Sequence, residues 1–202
     1  MQTLKTNEIL SQLDKDKKVT ISFHYHTETL LKTIDAIFSR LLAKIDLIYL
    51  LDSIVTILRE IVANAVKANA KRYYFKKLNV DINNPEKYSE AIKNFKMQVI
   101  GTDTIEKELS NTDYRAVLKI EFNTDNVNVM VENNASIHPE ELKRIKLRIQ
   151  KGKTYSDFTE AYDEIFDETE GAGLGIVLTI LLLRNSGIGE DSFSITGGNT
   201  GM

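Results

Sequence analysis

The chain has 202 residues, 29 acidic against 26 basic side chains, a net charge of -3 and no cysteine. That length suits one domain with a sizeable core, or one domain with a helical extension. The lack of cysteine excludes disulfides, thiol catalysis and cysteine-held metals and fits a reducing compartment, while mild acidity without a basic, aromatic-interleaved cluster gives no reason to expect nucleic acid.

Residues 3–13 carry a short amphipathic pattern (Leu4, Ile9, Leu10, Leu13), which reads as a helix or a frayed arm. Met1 to Lys18 is too polar and charged for a signal peptide. From Val19 to His26 the chain alternates, with Val19, Ile21, Phe23 and Tyr25 on one side and Thr20, Ser22, His24 and His26 on the other. That is a strand with one buried face, and the two histidines read as polar positions on it. Thr27 is placed to cap a helix from about Glu28 to Lys44, whose apolar side includes Leu30, Ile34, Ile37 and Leu41.

A longer helical pattern begins near Leu47 and carries Glu60-Ile-Val-Ala-Asn64-Ala-Val-Lys67-Ala. Glu60 and Asn64, four apart, share one helix face. A carboxylate beside an amide can hold Mg²⁺ directly or through water, and the carboxylate can accept a proton from an attacking water. An ordinary solvated polar face has the same spacing. Lys71 to Lys77, with Tyr73, Tyr74 and Phe75, is expected to leave this helix as a second strand.

Leu78 to about Thr112 is polar, with a helical patch starting at Pro85 (Tyr88, Ala91, Ile92, Phe95). Tyr114–Phe122 and Val127–Val131 alternate around Asn123-Thr124-Asp125-Asn126, a β-hairpin pattern. A helix then begins at Pro139 and runs over Glu140–Ile149. Gln150 to Thr169 is charged, and Lys151 and Lys153 read as a solvated basic turn or as groups that reach phosphate.

Gly171-Ala172-Gly173-Leu174-Gly175-Ile176 feeds the apolar run Val177 to Leu183. Glycines at 171, 173 and 175 let a backbone turn tightly and approach a ligand. The run behind them has helical spacing, and a helix N-terminus suits phosphate. A glycine-rich helix entry with no phosphate role fits the same residues. Asn185-Ser186-Gly187 ends the helix, Ser192–Thr196 starts an edge strand, and Gly197–Met202 is a turn. The longest apolar run is too short to cross a bilayer, so a cytoplasmic protein is expected.

Glu-x-x-x-Asn-Ala-x-Lys-Ala at 60–68, followed more than a hundred residues later by Gly-x-Gly-Leu-Gly, resembles the histidine-kinase-like ATPase superfamily. The order strand, helix, motif helix is similar to its anti-sigma serine kinases. The resemblance implies an α+β domain over the whole chain, a two-layer α/β sandwich in which helices cover one face of a mixed, mostly antiparallel sheet (the Bergerat fold). It implies ATP and Mg²⁺ as ligands, with Glu60 as base, Asn64 on the metal, Lys67 near phosphate, and Gly171, Gly173, Leu174 and Gly175 along the phosphates. It makes 78–112 an insertion, makes 150–170 a lid, and expects one more strand after Met202.

One box departs from the pattern. Asn133-Asn-Ala135-Ser-Ile137-His-Pro-Glu-Glu-Leu stands where the superfamily reads Asp-Asn-Gly-x-Gly-Ile-Pro-Glu-Glu-Leu. In that register Asn133 replaces the adenine-binding Asp, and Ala135 and Ile137 replace glycines. An amide keeps an acceptor for an adenine amine but loses the charge-assisted bond. Two functions are therefore expected: an ATP-binding signalling domain that passes phosphate to a protein partner, or a pseudo-ATPase that serves as an interaction scaffold. Neither expects a membrane segment, and both leave room for a homodimer.

Overall fold

The computed structural model describes residues 5–82, 84–98, 107–166 and 174–197. Helix α1 (Thr6–Asp16), strand β1 (Lys18–Phe23) and helix α2 (Glu28–Lys44) come first. A 3-10 turn at Ile48–Leu50 leads into the 27-residue helix α3 (Leu51–Lys77). Then follow α4 (Pro85–Gln98), β2 (Ala116–Phe122), β3 (Val127–Asn133), α5 (Pro139–Gly152), α6 (Phe158–Phe166), α7 (Leu174–Asn185) and a 3-10 turn at Glu190–Ser192. The architecture is α+β. The chain forms two compact units, Met1–Thr33 with Ile61–Ala135 and Ile34–Glu60 with Ser136–Met202, and α2 and α3 each contribute to both.

The first unit holds an antiparallel sheet in the order β1-β2-β3. Val19, Ile21 and Phe23 pair with Ile120, Leu118 and Ala116 across the ladder, and all six are buried. The outward residues Lys18, Thr20 and Ser22 are exposed, so the period-2 pattern gives this sheet one apolar face. The strand stops at Phe23, short of the expected His26. His24 Nδ1 instead lies 2.7 Å from the Tyr114 carbonyl oxygen, so a side chain takes over where the backbone ladder ends. Thr27 caps α2 as expected, its Oγ1 accepting from the Leu30 N–H at 3.1 Å. Inside that helix the buried Thr33 hydroxyl lies 2.8 Å from the Thr6 hydroxyl of α1.

Residues 71–77 are helix, not the expected strand. Ala70, Tyr73, Tyr74 and Lys77 recur at helical spacing, and that face is used by the segment that follows. Tyr74 packs on Phe95 and Phe75 on Tyr88, each with ring centroids 5.6 Å apart. With Ala70, Ala91 and Leu109 they make a separate apolar cluster, and Tyr114 leans on it. The β-propensity of Tyr-Tyr-Phe yields to tertiary packing. The described part of 78–112 is thus a packed helical element. Asn84 Oδ1 caps α4, accepting from the Glu86 and Lys87 N–H groups at 3.1 Å.

The second unit is built on α7, whose Ile176, Val177, Thr179, Ile180, Leu181 and Leu183 are buried. Tyr155 and Ala161 pack against Val177 and Leu181. At the end of α5, Gly152 comes close to α7: a β-carbon there would stand 3.4 Å from Ile180 Cγ1. Gly187 closes α7 at φ 72°, with the Ile188 N–H reaching back to the Leu183 carbonyl oxygen at 2.9 Å. The expected strand at Ser192–Thr196 is absent among the described residues. A 3-10 turn takes Ser192, and Phe193 is extended without ladder partners.

Candidate functional site

Pro139, at the first position of α5, and His138, whose Nδ1 accepts from the Glu140 N–H at 3.3 Å, set the entry of that helix. Pro139-Glu-Glu-Leu142 therefore opens a helix. Upstream, β3 ends at Asn133, and that residue reaches back to α3. Its Nδ2 donates to the Ala65 carbonyl oxygen at 2.9 Å, which leaves Oδ1 as the free acceptor of the amide among the described residues. An aspartate in this place would set oxygen against oxygen. The amide thus adds a tertiary bond to α3 that a carboxylate could not make.

Glu60, Asn64 and Lys67 lie on successive turns of α3. Asn64 is half-buried and Lys67 exposed, and Ala135 follows β3 in a half-buried bend. In the second unit the Glu60 side chain meets α7 at its second residue. A β-carbon built on Gly175 would lie 1.8 Å from Glu60 Oε1 and 2.3 Å from its Cδ. The glycine of the second motif therefore makes room for the carboxylate of the first. That carboxylate sits at the N-terminal end of α7, where the helix macrodipole favours negative charge. Leu174 turns inward and packs against the cluster of Tyr155, Ala161, Val177 and Leu181, so its side chain serves the core. Gly171 and Gly173 lie outside the described residues.

Several residues with clear structural roles lie outside the motifs. Arg184, on the last turn of α7, donates from Nη1 to the Tyr155 carbonyl oxygen at 2.5 Å and from Nη2 to the Lys153 carbonyl oxygen at 2.8 Å, and its Nε pairs with Glu190. The Lys153 side chain is taken by Asp191, whose carboxyl is held below the usual range by that lysine. It belongs to this brace around the α7 C-terminus. Asn134 prolongs the hairpin by side-chain bonds: Oδ1 accepts from the Arg115 N–H at 2.9 Å, and Nδ2 donates to the Asp113 carbonyl oxygen at 2.6 Å. A basic residue in a last helical turn and an Asn pair after a strand were the available clues.

The second unit also has a cavity of about 310 Å³ lined by Asp35, Leu51, Asp52, Val55, Thr56 and Arg59. There Arg59 Nη2 pairs with Asp35 Oδ2 at 2.5 Å. None of these residues belongs to the motifs. Among the described residues no three His, Asp or Glu side chains gather to hold a metal, and no helix is long and apolar enough to cross a membrane.

No family model and no solved structure matches the chain. A protein of Treponema pallidum (strain Nichols), described as uncharacterized, is 32% identical over 137 residues. The match spans 67% of this chain and 27% of the relative, so the chain corresponds to about a quarter of the length of the protein it matches.

Proposed function

We propose that this chain is an ATP-binding signalling or regulatory domain of the histidine-kinase-like ATPase type, with the two-layer sandwich of that superfamily. The observation that carries the reading is the interlock of Glu60 with Gly175. Two sequence motifs more than a hundred residues apart meet side chain to backbone, and each explains why the other has its residue. Asn133 adds to it, because its amide is oriented with the acceptor left over, the polarity that an adenine amine requires.

The donor set suits Mg²⁺ bound mainly by phosphate and water, a cation that takes one or two protein oxygens in such sites. Asn64 would supply an oxygen, Lys67 would approach phosphate, and Gly171, Gly173, Leu174 and Gly175 would line the phosphates through their backbone. Bound Mg²⁺ would neutralise charge on the transferring phosphoryl group. Glu60 would accept the proton of the attacking water or partner hydroxyl. Asn133 and Ala135 would meet the base.

A second reading, the pseudo-ATPase scaffold, has its own support. Ala135 and Ile137 stand where the superfamily has glycines, and Asn133 is tied to α3 through its donor. Calorimetry with ATP and ADP, with and without Mg²⁺, on the wild type and on Asn64→Ala separates the two. Micromolar, Mg²⁺-dependent binding that the variant loses supports the ATP-binding reading. No heat at millimolar nucleotide leaves the scaffold.

A further inference from the structure

Residues 51–59 open α3 with two parallel ridges of side chains. Leu51, Val55 and Arg59 follow one another at four-residue steps, and Asp52 and Thr56 run beside them. Asp35 of α2 completes the lining of the cavity of about 310 Å³, and all of these residues belong to the second unit. That volume stands at the lower end of small-molecule sites, which run from about 300 to 1,000 Å³.

The charged groups around the cavity divide into one that the protein uses and two that it leaves available. Asp35 is used: Oδ2 accepts from Arg59 Nη2 at 2.5 Å, and Oδ1 is buried with no partner among the described residues. Such a carboxylate depends on the guanidinium for compensation and so holds it in one orientation. Arg59 keeps donors in reserve, because its Nε and Nη1 have no partner among the described residues. Its side chain is 48% exposed, so a ligand can reach them. Asp52 and Thr56 are exposed too, and neither side chain has a hydrogen bond or ion pair among the described residues. Asp52 and Arg59 start about 10 Å apart along the helix axis, and the arginine side chain leans toward the helix N-terminus and shortens that gap.

We propose that this cavity binds an aliphatic α-amino acid as its zwitterion. The ammonium group pairs with the Asp52 carboxylate and the Thr56 hydroxyl. The carboxylate takes the remaining edge of the Arg59 guanidinium, a planar fork that matches it in two places. The aliphatic side chain lies on Leu51 and Val55. A molecule with only a positive charge leaves the fork unused and faces its charge, and one with only a negative charge faces Asp52. The cavity therefore selects a ligand that carries both signs. It uses none of the residues assigned to nucleotide, so the two kinds of binding are measured separately.

Calorimetry with L-leucine, L-isoleucine and L-valine tests the proposal. Isopentylamine and 4-methylpentanoate, the leucine analogues that lack the carboxylate and the amine respectively, serve as comparisons. At least one of the three amino acids is expected to bind with a sub-millimolar Kd, and each analogue about tenfold or more weakly than that. Asp52→Asn and Arg59→Gln are each expected to weaken amino-acid binding by about tenfold or more. Circular dichroism checks that both variants fold. Asp52→Asn breaks no bond among the described residues, so it carries the test even if Arg59→Gln, which strands Asp35, does not fold. No heat from any of the three amino acids at millimolar concentration overturns the proposal. So does an analogue that binds as tightly as the best of them, and so does amino-acid binding that Asp52→Asn leaves intact.

Discussion

Glu60 Oε1 lies 1.8 Å from where a β-carbon on Gly175 would stand. The glycine is needed there because a side chain fills its place, quite apart from any ligand. Gly175→Ala forces the carboxylate out of its rotamer, at a cost of about 1 kcal/mol. In a Glu60→Ala background the same change has the opposite sign. With the carboxylate gone, alanine gains its helix propensity over glycine, up to about 1 kcal/mol. Thermal unfolding of the two single variants and the double variant reads this coupling, and additive effects would rule the contact out.

Asn133→Asp restores the residue expected of the superfamily yet is predicted to weaken the protein. The bond from Nδ2 to the Ala65 carbonyl oxygen is lost and a carboxylate oxygen takes its place. A loss of about 1–3 kcal/mol follows, the cost of setting an acceptor against a part-buried acceptor. Denaturant unfolding measures it. If the aspartate is as stable as the asparagine, the donor role assigned to this amide is wrong.

Arg184 holds two carbonyl oxygens and Glu190 with three different nitrogens. Lysine carries the charge but not the planar fork, so Arg184→Lys is not conservative here. We expect a loss of about 1–3 kcal/mol from the abandoned carbonyls. Amide exchange is predicted to rise first around 153–155 and 188–192, the segments that the guanidinium ties to α7. Uniformly unchanged protection in those segments would show that the brace is idle.

Glu108 is held below its usual value of 4.5, first by the Lys77 ammonium and then by the Tyr73 hydroxyl. Lys77 and Tyr73 are in turn raised by Glu108 above their usual 10.5 and 10.0. A lowered carboxyl stabilises the fold above its unfolded value, and that contribution fades as the pH falls through the lower folded value. The raised lysine and tyrosine contribute below their unfolded values and lose the contribution as the pH climbs past them. The cluster therefore supports the α3 C-terminus across the neutral range and fails at both ends. All three groups are exposed enough for the effect to be small and weakened by salt. Melting temperatures of the wild type and Glu108→Gln are predicted to converge as the pH falls from 4.5 through the lower folded value. A gap that stays constant from pH 7 to that point would refute it.

Much of the fold was legible where one local rule acted alone. Alternation in Val19, Ile21 and Phe23, the Thr27 cap, the Asn123–Asn126 turn, Pro139 and Gly187 each fixed an element through backbone chemistry within a few residues. Residues 71–77 read as a strand because Tyr73, Tyr74 and Phe75 favour strands in isolation. They are helical because Tyr88 and Phe95, a dozen and more residues later, need a helix face to pack on. Ser192–Thr196 has strand composition, but a strand requires a neighbour to pair with. At the site, spacing alone put Glu60 and Asn64 on one face of α3. The donor bond that explains Asn133 involves Ala65, sixty-eight positions away, and no pattern in one sequence encodes it.

The chain has eight tyrosines and no tryptophan. Tyr73, Tyr74, Tyr88 and Tyr114 gather around the α3–α4 cluster. Half of the tyrosines are therefore gathered in one place in the first unit, where fixed ring packing generates near-ultraviolet dichroism. The molecule carries its own optical reporter. Its near-ultraviolet signal follows the joint between α3 and α4 without a label, while Tyr155, buried against Val177 and Leu181, is the ring that reports on α7.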